Sequence, residues 1–130
     1  MKKLRVAAVV VGVAALAAAG VAGYRHMAER SIHERATDAV RRALNDPESA
    51  RFDRVTYNAA TLSTCGLVNA KNRMGGYVGF TRFVVNMDGA AEFQPPEPPT
   101  YGALDERQAA ADRLMAFLTN YKIVCQAGSP

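Results

Sequence analysis

An α+β domain behind an N-terminal apolar helix is the fold class this sequence predicts, and three observations predict it. An uncharged run from Val6 to Gly23 follows the basic start MKKLR. Two stretches, one around Ile32–Leu44 and one around Leu114–Tyr121, repeat apolar residues at spacings of three and four, the period of a helix with one buried face. Between them lie short segments rich in β-branched and aromatic residues, punctuated by glycine turns, the pattern of an antiparallel sheet. The predicted order is an N-terminal membrane or signal helix, an amphipathic helix, a three- to four-stranded antiparallel meander and a C-terminal helix, with the helices on one face of the sheet. A chain of 130 residues has room for one domain; the reading places it at 24–130, behind a signal anchor or signal peptide at 1–23.

The N-terminal segment supports two readings. A cleaved secretory signal has a basic start, a short apolar core and small residues before the cut, and ALAAAG and GVAG supply small residues. A membrane anchor needs roughly 17–25 apolar residues, and Val6 to Gly23 meets the lower edge of that range. Its many Ala and Gly residues drive insertion less strongly than Leu or Phe. The anchor is preferred, because the apolar core is long for a signal and YRHMAERSIHERATDAVRRAL continues as helix with no break between. Either way the lysines stay inside and the rest of the chain crosses.

After the membrane segment, Ile32, Ala36, Val40 and Leu44, with Ala39 and Ala43, share one helix face. NDPES ends that helix, because Pro47 disfavours a helical Asp46 and has no N–H to donate. ARFDRVTYN alternates as a strand, with Phe52, Arg54 and Thr56 on one side and Asp53, Val55 and Tyr57 on the other. TCGLVNAKN and YVGFTRFVVNM read as the two arms of a hairpin turning near Asn72–Gly76, where glycine supplies a positive φ. On the second arm Tyr77, Gly79, Thr81, Phe83 and Val85 share one face; Val78, Phe80, Arg82 and Val84 share the other. Asp88–Gly89 marks a further turn into a short strand through Phe93. QPPEPPTYG is an extended connector. Asp105 then reads as the N-cap of the last helix, with Gln108 as its capping-box partner. That helix carries Leu114, Phe117, Leu118 and Tyr121 as its apolar stripe, ends near Cys125 and leaves QAGSP as a frayed tail.

Lys2, Lys3 and Arg5 are three of the 16 basic residues, so the remaining chain holds 13 basic against 12 acidic residues. The basic character of the whole is therefore partly a targeting feature, and no nucleic-acid partner is expected, since that would call for a clustered basic face. The Arg41–Arg42 pair reads as a solvated helix face. The two cysteines, Cys65 and Cys125, have only each other as an intramolecular partner, and in an oxidising compartment an even count suggests a bridge. Such a bridge closes a loop of about 60 residues and is worth roughly 4 kcal/mol.

Little else in the sequence carries chemistry. Cys65 as a nucleophile would need a base, and nothing brings His26 or His33 to it. Two histidines are too few for a metal site, and no metal or cofactor is expected. GGYVGF lacks the Lys–Ser/Thr of a phosphate loop and leads into a strand. Asn69, Lys71, Asn72 and Tyr77 are the candidate binding residues. Asn69 and Asn72 equally suit the turn's own backbone, and Tyr77 and Phe80 suit a core better than a contact surface.

DPESARFDRV followed by CGLVNAKNRMGGYVGFTRFVV resembles a family of small, uncharacterised bacterial exported or membrane-anchored proteins. Its members carry Asp-Pro, a Ser-Ala-x-Phe strand, Cys-Gly-x-Val-Asn-Ala-Lys-Asn, Gly-Gly-Tyr and Gly-Phe. The likeness covers about Asp46 to Val85. It implies a bacterial, envelope-facing context and no catalytic residue. The expectation is a non-enzymatic interaction or accessory module exposed to the periplasm, held at the inner membrane by its N-terminal helix or cleaved and released, with an envelope protein as partner. The alternative is a small periplasmic hydrolase or ligand-binding enzyme using the Asn69/Lys71/Asn72 region.

Overall fold

The computed structural model describes residues 2–126, with side chains described from residue 11 onward. The side chains of Lys2, Lys3 and Arg5 and the tail at 127–130 lie outside the described residues. Helix α1 spans Lys2–Arg42, so the apolar run and the amphipathic stretch are parts of one element. No helix among the described residues is long and apolar enough to cross a membrane. Residues 1–31 and 32–130 form two separate compact units.

Within the second unit, a single 3-10 turn, Pro47–Ser49, leads into β1 (Arg51–Asn58), β2 (Ser63–Asn69), β3 (Thr81–Val85) and β4 (Ala91–Phe93), followed by α2 (Leu104–Gln126). The Asp46 carboxylate caps the turn by accepting from Ser49 N at 3.3 Å. The four strands form one sheet in the order β1-β2-β3-β4, each antiparallel to the next, so the α+β meander predicted from the sequence is the observed fold. Asp88–Gly89 makes the β3–β4 turn as expected. Gly89 has φ +80°, Asn86 N donates to Ala90 O at 3.1 Å, and the Asp88 carboxylate accepts from Ala90 N at 3.0 Å.

Four local expectations need correction. First, the helices do not share a face. Ala36, Ala39 and Val40 of α1 bury against Val68, Phe83 and Val85. Phe117 of α2 buries against Cys65 and Val84, on the opposite face. The two clusters follow strand alternation: Val84 points away from Phe83 and Val85, and all three are buried. Ser63, Thr64, Cys65 and Val68 are likewise buried on β2, and Leu67 and Asn69 are half-buried.

Second, β1 does not alternate throughout. Its register against β2 shifts between Asp53 and Thr56, and Arg54 sits at φ +49°. This bulge inserts one residue and reverses the phase. Phe52 and Val55, read as facing opposite ways, therefore pack against the same cluster.

Third, the long hairpin arm begins at Thr81 and not at Tyr77. Gly75 and Gly79, at φ +80° and +100°, break the extended chain on either side of Tyr77. One isolated bridge, Lys71 to Tyr77, is all the pairing in between.

Fourth, α2 starts one residue before its expected cap. Arg107 N already donates to Ala103 O at 3.1 Å, which places Asp105 and Glu106 inside the first turn. There they complement the positive end of the helix dipole. Gln108 bonds forward to Asp112 at 2.9 Å instead of back to a cap.

The disulfide joins Cys65 to Cys125, with Cα atoms 5.9 Å apart. It fastens the last turn of α2 to the central strand β2. Two further bonds act at the same place: Asn58 Nδ2 and Thr61 Oγ1 donate to Val124 O at 2.7 and 2.9 Å. That carbonyl is one of the four a helix C-terminus leaves without an intrahelical donor.

Candidate functional site

Asn69, Lys71, Asn72 and Tyr77 all belong to the segment joining β2 to β3, and the structure brings them together. The Asn72 side chain is the hub. Its Oδ1 accepts from Met74 N at 3.0 Å and from Gly76 N at 3.1 Å. Its backbone N donates to Gly76 O at 2.8 Å, and Gly75 N donates to Asn72 O at 3.0 Å. An asparagine oxygen can replace a backbone acceptor in this way because it sits two bonds beyond Cβ, within reach of its own turn. Asn69 performs the same service one step out, accepting from Gly79 N at 3.1 Å. Both asparagine oxygens thus hold the loop's backbone.

Ser49 ties the loop to the rest of the unit. Its hydroxyl accepts from Lys71 N at 2.9 Å and donates to Asp46 O at 2.9 Å. Its carbonyl accepts from the Tyr77 hydroxyl at 3.3 Å. Two cations lie near the Tyr77 ring, with the Arg51 guanidinium carbon 4.4 Å and the Lys71 ammonium 5.7 Å from its centroid. Arg73 reaches back to Asn45 at 3.5 Å. Tyr77 and Phe80 were expected in the core. Tyr77 is 39% and Phe80 54% exposed, because the glycines that form the loop also keep it off the sheet.

Two cavities flank the sheet. One of about 220 Å³ lies beside the loop, lined by Leu44, Val68, Val78 and Phe93, with Lys71 and Asn72 among its polar members. The other, of about 310 Å³, is lined by Ile32, Arg35, Tyr57, Leu62, Thr64 and Met87 among others. The sequence pointed to Lys71 and Asn72 of the first and to no residue of the second. The second depends on Leu62, held at φ +52° in the β1–β2 turn, a conformation that no local residue pattern announces.

Among the described residues no group of three or more His, Cys, Asp or Glu side chains could hold a metal ion. Cys65 is bonded and so offers no thiol. His33 contributes its backbone carbonyl to the Thr37 hydroxyl at 2.9 Å.

No protein-family model, curated protein or solved structure matches this chain.

Proposed function

We propose that this chain is an envelope protein whose second unit works outside the cytoplasm as a non-enzymatic interaction module. The observation that carries the reading is the Cys65–Cys125 bond. Disulfides persist in oxidising compartments and are rare where thiols are kept reduced. The basic start followed by the apolar run from Val6 supports export by the same logic, and the motif likeness over Asp46 to Val85 agrees with it. In this reading the N-terminal helix either anchors the chain in the inner membrane or is removed, and the partner is an envelope protein or the wall. The side chains of Asn69 and Asn72 serve the loop's shape.

A fusion of residues 1–30 to a reporter active only outside the cytoplasm tests this. The fusion is active on the proposal, and a well-expressed but inactive fusion refutes it. Alkali extraction of the full chain then separates anchor from released domain, since only the anchored form stays with the membrane.

One observation favours a second reading. The cavity of about 220 Å³ beside Lys71 and Asn72 has a mostly apolar lining with a few polar side chains, the general form of a small-ligand site. Its discriminating measurement is protection of Lys71 from amine acylation by cell extract fractionated to small molecules. Unprotected Lys71 removes this alternative.

A further inference from the structure

The β2–β3 loop exposes apolar side chains that nothing in the unit covers. Met74 is 93%, Val78 66% and Phe80 54% exposed. Exposed apolar groups carried on one loop mark a candidate contact site. The segment that carries them has charges of one sign, and the nearest acidic residues along the contacts of the loop are Asp46 and Glu48, beside Ser49 at its base. Between Asp53 and Asp88 the chain has no acidic residue, while Arg54, Lys71, Arg73 and Arg82 all fall in that interval. Arg51, Lys71 and Arg73, the cations nearest the loop, have no carboxylate within ion-pairing distance among the described residues.

The loop is also preorganised. Asn69, Asn72 and Ser49 hold its backbone through side-chain bonds, so it can present its apolar tips without paying to order them. Tyr77 completes the pattern. Its ring has two cations close by and its hydroxyl is bonded, which suits the polar–apolar boundary of a bilayer.

The geometry points to the surface of an anionic phospholipid bilayer as the occupant of this loop. Met74, Val78 and Phe80 enter the acyl boundary, and Lys71, Arg73 and Arg51 meet the phosphates. Apolar burial combined with cation–phosphate attraction is the general basis of interfacial binding. A protein partner would fit the apolar residues equally well. Arg51, Lys71 and Arg73, none of them in an ion pair among the described residues, favour a surface of dense negative charge.

The sequence contains no tryptophan, so one introduced indole reports on its own surroundings. Phe80→Trp and Val78→Trp are made separately in the full-length chain, with Tyr101→Trp, in the exposed connector before α2, as the off-site control. Each is mixed with vesicles of phosphatidylglycerol and with vesicles of phosphatidylcholine. The expected result is a blue-shifted emission for Phe80→Trp and Val78→Trp, quenched by brominated acyl chains, on the anionic vesicles only. Adding Lys71→Gln and Arg73→Gln lowers the docked-to-free ratio about fivefold for each charge removed, and raising the salt concentration acts in the same direction.

An unshifted emission from both loop positions on anionic vesicles overturns the proposal. So does an equal shift on phosphatidylcholine, or an equal shift at Tyr101→Trp, which would report adsorption of the whole chain. A loop reporter that shifts with an added envelope extract but not with lipid assigns the patch to a protein and also overturns it. The inference does not depend on the compartment proposed above, because vesicles present headgroups to the domain directly. Its failure would leave the reporter-fusion result standing.

Discussion

Gly66 shows how much a single position on β2 is asked to do. A Cβ placed there would lie 2.9 Å from Phe83 Cζ and 3.2 Å from the Val55 backbone. Phe83 is fully buried and stacks edge-on against Phe52 at 5.9 Å, so its ring has nowhere to retreat. Gly66→Ala therefore overpacks the core and costs about 2 kcal/mol, read as a shift in the urea midpoint with an unchanged slope. The loop glycines are a different case, because space is not their constraint. Gly75 has φ +80° and nothing near its missing Cβ, whereas Gly76 carries no positive φ and meets only Asn72 Oδ1 at 3.9 Å. Gly75→Val destabilises by about 1 kcal/mol or more, and Gly76→Val by much less. Equal effects from the two would place the left-handed residue elsewhere. The sequence marks both as turn glycines, and only the backbone distinguishes them.

At the level of elements, the junction of α2 with β2 is the feature the sequence announced most directly. Two cysteines leave one pairing, and the pairing is made. The chain-entropy model assigns a loop of this length about 4 kcal/mol. Cys65→Ser and Cys125→Ser should lose similar stability in thermal or denaturant unfolding. The double variant should lose no more than either alone, since one bond disappears each time. Additive losses would mean that each sulfur also contributes packing of its own. The bonds from Asn58 and Thr61 to Val124 O fasten the same helix end. They were not legible, because a side chain reaching a carbonyl more than sixty residues away leaves no local pattern. The bulge at Arg54 was hidden for a related reason. Phe52 to Tyr57 looks like plain alternation until the partner strand's register shows an extra residue.

For the whole molecule, the division after Ser31 is a statement about what can fold alone. Both buried clusters, the disulfide and all four strands lie at or beyond Ile32. A chain beginning at Ile32 should keep its sheet signal in circular dichroism, unfold cooperatively and show no free thiol after unreduced denaturation. A molten product with labelled cysteines would show that residues 1–31 contribute to the core. Beginning the chain at Lys71 instead would remove Ala36, Ala39 and Val40 from one face of the sheet as well as Cys65, and should leave no cooperative transition.

The sequence by itself determined the α+β class, the order of helices and strands, the Asp88–Gly89 turn and the cysteine pair. Each of these rests on a local signal: a period of 3.6 or 2, a residue that tolerates positive φ, or a count with a single solution. Only the tertiary structure decided that the helices lie on opposite faces, because the apolar residues on both sides of Phe83–Val85 permit either one helix layer or two. It alone decided where β3 begins, since Tyr77 to Phe80 has strand composition and is kept from the ladder by Gly79. The same is true of the candidate binding residues. Composition could mark Asn69, Lys71, Asn72 and Tyr77 as neighbours, but whether an asparagine oxygen faces a ligand or its own backbone is settled by distances of about 3 Å that exist only after the chain has folded.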